Sequence, residues 1–448
     1  MADLSEAYGT GVAYTTSPLS PHLSHQDPTA ARFSTRSIIG PVTDLETRGA
    51  RPGAATLRRA APALLGYAAV RALGLLTLAL WSAARDKSGY TLLTARWDSL
   101  WYTRVAELGY GYEVRLPNGD VHSNLAFFPL LPWLERLLAA VTPLSYADAG
   151  FVVALLTSLA AAWGIFAVTD HVYGRTENGA ERGLGGVAAG DGRAGVCAVL
   201  LWAVLPVGIV QSMAYSESLF TVLAAWSLYA VLTGRWVTAG ALASLAGLTR
   251  PVGLAVVAAV WVAAIASFAR DRRAAPAAPD GTWFTTRALG MLLAPLGAAA
   301  YVLWVGRRTG KGPLGYLDVQ AGWRNGFDGG YAFARFVGDK FTSFPSALAG
   351  IGIVVGVALV IWLYVVGVRQ GQPLPLLVYS GVVVALALCA SSYFGSKPRL
   401  LMPAFPLLLP LALALSRLRT SRSALVAGGV AVASAVYGAF WLNGSGPP

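Results

Sequence analysis

Apolar runs of about twenty residues recur along this chain, separated by short polar or arginine-bearing connections, and they fix its architecture before any single residue is considered. A run of that length satisfies its own backbone as a helix across the hydrocarbon layer of a membrane, about 30 Å thick. Spans are expected at 61–84, 149–170, 194–213, 217–234, 236–250, 251–269, 288–306, 346–368, 374–391, 402–416 and 423–441. Alternating ten-residue segments of the outer-membrane barrel kind are absent. The pattern therefore predicts an all-α polytopic membrane protein of about eleven spans.

Two longer connections, 85–148 and 307–345, interrupt the rhythm. In the first, Trp97, Trp101, Val105 and Leu108 recur at helical spacing while Arg104 and Glu107 face elsewhere, the pattern of an amphipathic helix on the membrane surface. AFFPLLPWLERLLAAV, 126–141, is apolar enough to compete as a further span. Two prolines at its start and Glu135 and Arg136 in its middle favour an interfacial helix, and counting it as a span would put the ARDRR segment outside. Residues 1–57, rich in Ser, Thr, Pro, Gly and Ala and lacking apolar periodicity, are expected to form a disordered tail ahead of one membrane domain, 58–448. The glycine-rich connection at 170–193 reads as a flexible link, and no internal repeat is visible.

Composition agrees with that outline: 55% hydrophobic, 12% charged, mean hydropathy +0.56. The net charge of +12 sits in short connections rather than in one basic domain, so anionic lipid head groups are the expected partner and nucleic acid is not. Every second connection carries arginine: Arg175, Arg182 and Arg193, then Arg235, then Arg270, Arg272 and Arg273, then Arg369, then Arg417, Arg419 and Arg422. By the positive-inside rule these are cytoplasmic, as is the N-terminus preceding Arg58 and Arg59, and both long loops are external. Cys197 and Cys389 lie within apolar runs, which argues against a disulfide framework or a cysteine metal site.

Candidate chemistry gathers at the external level. Asp98 stands among Trp97, Trp101, Tyr102, Tyr110 and Tyr112. It either caps the helix that starts there or serves as a general base, and the two roles are compatible. The segment PVGIVQSMAYSES brings Gln211, Tyr215, Ser216, Glu217 and Ser218 to the same level, as a polar turn or as one wall of a site. Arg250 in LTRPVG, with Lys397 and Arg399 in SSYFGSKPRLLMPAFP, either snorkels to head groups or holds the phosphate of a lipid donor. LGYLDVQAGWRNGFDGGY supplies Asp318, Gln320, Trp323, Arg324 and Asp328, a mixture suited to carbohydrate contacts and equally to an ordinary folded loop. Arg71, in mid-span, has no partner that the sequence names. There is no P-loop, no HExxH and no cluster of His or Cys.

RWDSLWYTRVAELGYGYE, then AFFPLLP, AYSESLF and YLDVQAGWRNGF, in that order on a membrane scaffold, resembles the PIG-V family of mannosyltransferases in the GT-C class. The resemblance runs over roughly 60–420, and the Ala, Arg and Gly richness suits a bacterial, actinobacterial-type member. It implies an inverting transferase that takes mannose from polyprenyl-phosphate-mannose at the non-cytoplasmic face of the plasma membrane and forms an α-linkage. By the same resemblance Asp98 is the catalytic residue. Glu113 and Glu217 match further acidic motif positions, Trp97, Tyr102, Glu113, Tyr215, Glu217, Gln320, Trp323 and Arg324 are expected to bind substrate, and Arg250, Lys397 and Arg399 are expected to hold the donor phosphate. No cofactor is implied, because the metal-binding Asp-x-Asp of some wider relatives is missing from the first loop. The acceptor is a glycolipid or a protein. A transporter or lipid flippase is the rival, though such proteins tend to place ionisable groups at mid-membrane around an internal repeat.

Overall fold

The computed structural model describes residues 54–174, 192–274, 281–444 and 446. The tail expected over 1–57 lies outside the described residues as far as residue 53, and most of the 170–193 connection lies outside them too.

The chain opens with α1 (Ala54–Ala83), followed by two short helices, α2 (Gly89–Thr94) and α3 (Asp98–Leu108). An antiparallel hairpin of β1 (Glu113–Arg115) and β2 (Val121–Ser123) precedes α4 (Leu130–Val141) and α5 (Tyr146–Tyr173). Next come α6 (Arg193–Ala203), α7 (Ser216–Leu232), α8 (Trp236–Gly247), α9 (Leu254–Ala274), α10 (Gly281–Leu293) and α11 (Leu296–Thr309). The second long loop holds α12 (Gly315–Gly322), β3 (Gly326–Phe327) and α13 (Tyr331–Asp339), and leads into α14 (Phe344–Arg369) and α15 (Leu374–Cys389). Strand β4 (Ala390–Ser391) pairs with β3, and α16 (Lys397–Leu401), α17 (Leu409–Ser416) and α18 (Thr420–Leu442) finish the chain.

Each of the eleven apolar segments contains helix, but not each is long enough to be a span. Among the described residues six helices are long and apolar enough to cross a membrane, and the bent pair α16–α17 makes a seventh. The expectation of about eleven full-length spans is corrected accordingly. The shortfall lies in α6, α7, α8 and α15, of 11, 17, 12 and 16 residues. A helix of 12 residues reaches only about 18 Å, against about 30 Å of hydrocarbon.

The cause is local. Pro251 drives Arg250 out of the helical region to φ −159°, ψ 154°, so the chain breaks between α8 and α9. Pro403 and Pro406 interrupt the next candidate, where the helices on either side meet at 75°. Helix α6 stops at Ala203 ahead of Pro206, and the freed carbonyls of Ala203 and Gly208 accept hydrogen bonds from Arg71 of α1. That gives the mid-span arginine its partner. A hydropathy average runs straight across such breaks.

Helix α4 stays below spanning length, exposing Trp133, Leu137 and Val141 while burying Leu131, Pro132 and Glu135. The main core is built largely of alanine and valine from α5 to α9, α15 and α17. Small residues let the backbones close up: Gly240 of α8 lies so near Gly290 of α10 that a Cβ would overlap the Gly290 carbonyl. Helix α5 is more than half buried, whereas α14 faces almost wholly outward. At one end of this bundle Arg59 pairs with Asp170 at 2.8 Å and Arg193 bonds the carbonyl of Leu418. The two long loops meet at the other end.

Candidate functional site

The breaks that shorten the helices also gather the polar side chains. Asp98 is the first helical residue of α3. Trp97 occupies the cap position without a side-chain cap bond, so the capping role considered for Asp98 falls to a residue that cannot perform it. Trp97 adopts φ 51°, ψ −122°, a conformation a bulky residue reaches only under strain. Ser99 closes the turn beneath it, its hydroxyl donating to the Arg96 carbonyl at 2.6 Å and accepting from the Arg96 N–H at 3.0 Å.

From this turn the Asp98 carboxylate meets the guanidinium of Arg399, with Nη1 at 2.8 Å from Oδ2. Arg399 Nε also lies 3.3 Å from Oε1 of Glu217, in the first turn of α7. Glu217 forms a second ion pair with Arg250, which stands in the extended break before Pro251. Neutral donors complete the group: Tyr102 and Ser216 share a 2.7 Å hydrogen bond, Arg250 donates to Ser216 Oγ at 3.3 Å, and the Tyr215 ring lies 5.0 Å from the Arg399 guanidinium carbon. Burial raises the Tyr102 phenol above its ordinary pKa, so it stays a neutral hydrogen-bonding group.

Two carboxylates and two guanidiniums thus alternate in a cluster whose formal charges cancel. Glu217, Arg399 and Arg250 expose 1%, 8% and 13% of their side chains, and Asp98 exposes 25%. Asp98 is the most exposed member of the cluster. Guanidiniums already lie against both acids, and no group of three His, Cys, Asp or Glu occurs among the described residues. The cluster does not fit a divalent cation, which would have to displace an arginine.

Two of the three cations expected at a donor phosphate, Arg250 and Arg399, are in the cluster. Lys397 is not: its ammonium caps the C-terminal end of α15, donating to the carbonyls of Ala387, at 2.6 Å, and Ala390. Trp323 is brought to the first loop, 4.8 Å edge-on to Trp101 and stacked at 4.0 Å on His122, and its indole N–H donates to the Ser123 carbonyl. Phe127 stacks on Trp101 at 5.7 Å and meets Tyr102 edge-on at 5.2 Å, so an aromatic layer runs from the loops to the ion pairs. Gln320 donates to Tyr316 at 2.6 Å and accepts from Asn325, and Arg324 pairs with Asp120 at 2.6 Å. Both brace the second loop. Glu113 lies exposed on β1, and Trp97 carries the Arg96 guanidinium 4.0 Å above its ring. Sequence reasoning placed Ser216 in a polar turn or wall without its bridging role, counted Phe127 only among the aromatic residues of the first loop, and passed over His122. The last two stand in the aromatic-rich loop but carry no spacing that reports a cross-loop stack.

These elements define a helical multi-pass membrane protein with a charge-balanced cluster where its two long loops meet. Residues 82–272 match the family model described as Mannosyltransferase (PIG-V), a stretch that holds Asp98, Tyr102, Tyr215, Glu217 and Arg250 but not Arg399. No curated protein matches the chain. Among solved structures, ArnT from Cupriavidus metallidurans bound to undecaprenyl phosphate is similar with a TM-score of 0.46 and 15% identity over 81% of this chain and 61% of that one. Archaeal oligosaccharyltransferase AglB from Archaeoglobus fulgidus, in complex with an inhibitory peptide and a dolichol-phosphate, is similar with a TM-score of 0.42 and 12% identity over 85% of this chain and 56% of that one. The chain thus spans less than two thirds of the length of these solved proteins.

Proposed function

We propose that this chain is a GT-C-type glycosyltransferase that moves mannose, with inversion, from polyprenyl-phosphate-mannose to an acceptor hydroxyl at the non-cytoplasmic face of the plasma membrane. The observation that carries this reading is the alternating cluster of Asp98, Arg399, Glu217 and Arg250, which brings arginines and a glutamate from distant segments onto the Asp98 of the first loop. A lipid-phosphate sugar brings its own leaving group. The protein then needs one base, cations for the departing phosphate and a means of positioning.

In this reading the donor phosphate sits against Arg399 and Arg250, whose guanidiniums carry enough N–H groups to hold phosphate and carboxylate together. Engagement of Arg399 by the phosphate loosens its hold on Asp98. The freed carboxylate accepts the proton of the acceptor hydroxyl as the oxygen bonds to the anomeric carbon. The bond from that carbon to phosphate oxygen breaks, and polyprenyl phosphate departs with the electron pair. Glu217 keeps both arginines in place. The acceptor is a glycolipid or a protein hydroxyl, approached through the aromatic layer of Trp101, Phe127 and Trp323, whose rings suit sugar stacking. Orientation follows from charge, since Arg59 and Arg193 mark the end of the bundle away from the cluster.

Purified protein given labelled polyprenyl-phosphate-mannose and a membrane extract should transfer label to an acceptor. Asp98→Asn should slow that transfer by about 10²–10⁴-fold, the usual worth of a general base. Unaltered transfer by Asp98→Asn would remove Asp98 from the mechanism.

A further inference from the structure

The residue next to Trp97 does something the sequence gives no reason to expect. Arg96 reaches to the far end of the chain and donates from Nη1 to the Leu442 carbonyl at 3.0 Å, with both terminal nitrogens 3.4 Å from the Gly444 carbonyl. The Leu442 carbonyl belongs to the last turn of α18, has no partner within the helix and lies at the negative end of its dipole, and Gly444 follows just past the helix cap, Asn443. The same guanidinium lies over the Trp97 indole, 4.0 Å from the ring centre. Its backbone N–H and carbonyl are both held by Ser99. Arg96 therefore joins three things: the end of the final helix, the ring of a strained residue, and the turn from which Asp98 projects.

Strain at Trp97 persists only if its surroundings enforce it. Relaxing φ from +51° would swing the Asp98 backbone, whose N–H donates only weakly to Tyr215 Oη, at 3.4 Å. Trp97 packs against a core that includes Tyr215, Met402 and Leu442, so the same core reaches a cluster residue on one side and the end of α18 on the other. We infer that Arg96 is a positioning residue: by clamping the C-terminal carbonyls of α18 against Trp97 it holds the strained turn that aims the Asp98 carboxylate at the reacting hydroxyl. This inference rests on the reading of Asp98 as the base.

Lys87 supplies the control. It donates to the Asn443 carbonyl at 2.9 Å, and so secures the same helix end without contacting Trp97. The experiment measures kcat, donor KM and thermal unfolding for Arg96→Gln, Arg96→Lys, Lys87→Ala and Asp98→Asn in the full-length protein, with polyprenyl-phosphate-mannose as donor. A small displacement of a catalytic group is enough to cost about a hundredfold in rate. Arg96→Gln should thus lower kcat by roughly ten- to a hundredfold with donor KM unchanged, Arg96→Lys should fall less, and Lys87→Ala should keep its kcat. Arg96→Lys, which retains a cation at the helix end but loses the guanidinium that lies over the ring, serves if Arg96→Gln does not fold.

A rise in donor KM at unchanged kcat would make Arg96 a substrate-binding group and overturn the inference. Equal kcat losses in Arg96→Gln and Lys87→Ala, with matching falls in unfolding temperature, would make it a helix anchor only and overturn it as well. Full activity of Asp98→Asn would sink the reading of the base. An inactive Asp98→Asn beside an unimpaired Arg96→Gln would sink only the positioning role.

Discussion

Glu217 and Glu135 are both glutamates with almost no exposed surface, 1% and 0%, yet their surroundings are opposite. Glu217 lies against the guanidiniums of Arg250 and Arg399. Glu135, on the inner side of α4, has no hydrogen-bond partner for either oxygen among the described residues and packs against Gly150, so tightly that a Cβ there would lie 2.6 Å from its Oε1. Burial without a partner pushes the Glu135 carboxyl well above the usual carboxylate range. Depth alone therefore says little about what an acid does. The first glutamate is a strut between two cations, and the second is an acid whose burial without a partner favours its protonated form.

Removing the strut should have the largest effect. Glu217→Ala leaves the buried Arg250 without a carboxylate and Arg399 with Asp98 alone, and breaking a buried pair in this way costs about 3–5 kcal/mol. Denaturation in detergent should show a marked fall in melting temperature together with loss of transfer. A fall no greater than that of a surface variant would mean that water already shields the cluster, and the contrast with Glu135 would vanish.

Glu135 should behave in the opposite sense. Its folded-state pKa is raised, so the folded protein holds that proton more tightly than the unfolded chain does. The stability it contributes is present at low pH and is lost progressively as pH rises past the unfolded glutamate value of about 4.3. Glu135→Leu, which removes an unsatisfied polar group, should stabilise the protein by about 1–3 kcal/mol at neutral pH. The gap to the wild type should shrink as pH is lowered toward 4.5. Melting curves between pH 4.5 and 8 test this, and a gap independent of pH would show that Glu135 is not a buried neutral acid.

The smallest effect belongs to the opposite end of the bundle. The Arg59–Asp170 pair leaves the arginine half exposed, and Arg59→Ala should shift stability by only about 0.2–1 kcal/mol, less at high salt. Melting curves at low and high ionic strength measure it.

The order of the apolar segments was legible in the sequence, because each is a local feature of composition. So was the distinction of α4 from a span, although Glu135, read as a mark of the water interface, is fully buried instead. Helix length was not legible, since it depends on breaks such as the one Pro251 imposes on Arg250. The types and level of the cluster residues were also readable: Asp98, Tyr102, Tyr215, Glu217, Arg250 and Arg399 do come together. Their pairing was not, because each contact joins segments far apart in the chain and leaves no local pattern. Lys397 illustrates the cost. Two residues from Arg399, it looks equivalent on paper, but the helical turn points it at the end of α15.

The arrangement around Arg71 has a consequence for how the protein is made. The carbonyls that receive this arginine belong to residues 132 and 137 positions downstream. At ordinary translation rates of about 5–20 residues per second, roughly 7–30 s separate the emergence of α1 from that of its acceptors. A lone arginine at the centre of a span is a costly thing to release into lipid. The first segment is therefore best kept beside the insertion machinery, in contact with water, until the sixth helix arrives to dock against it.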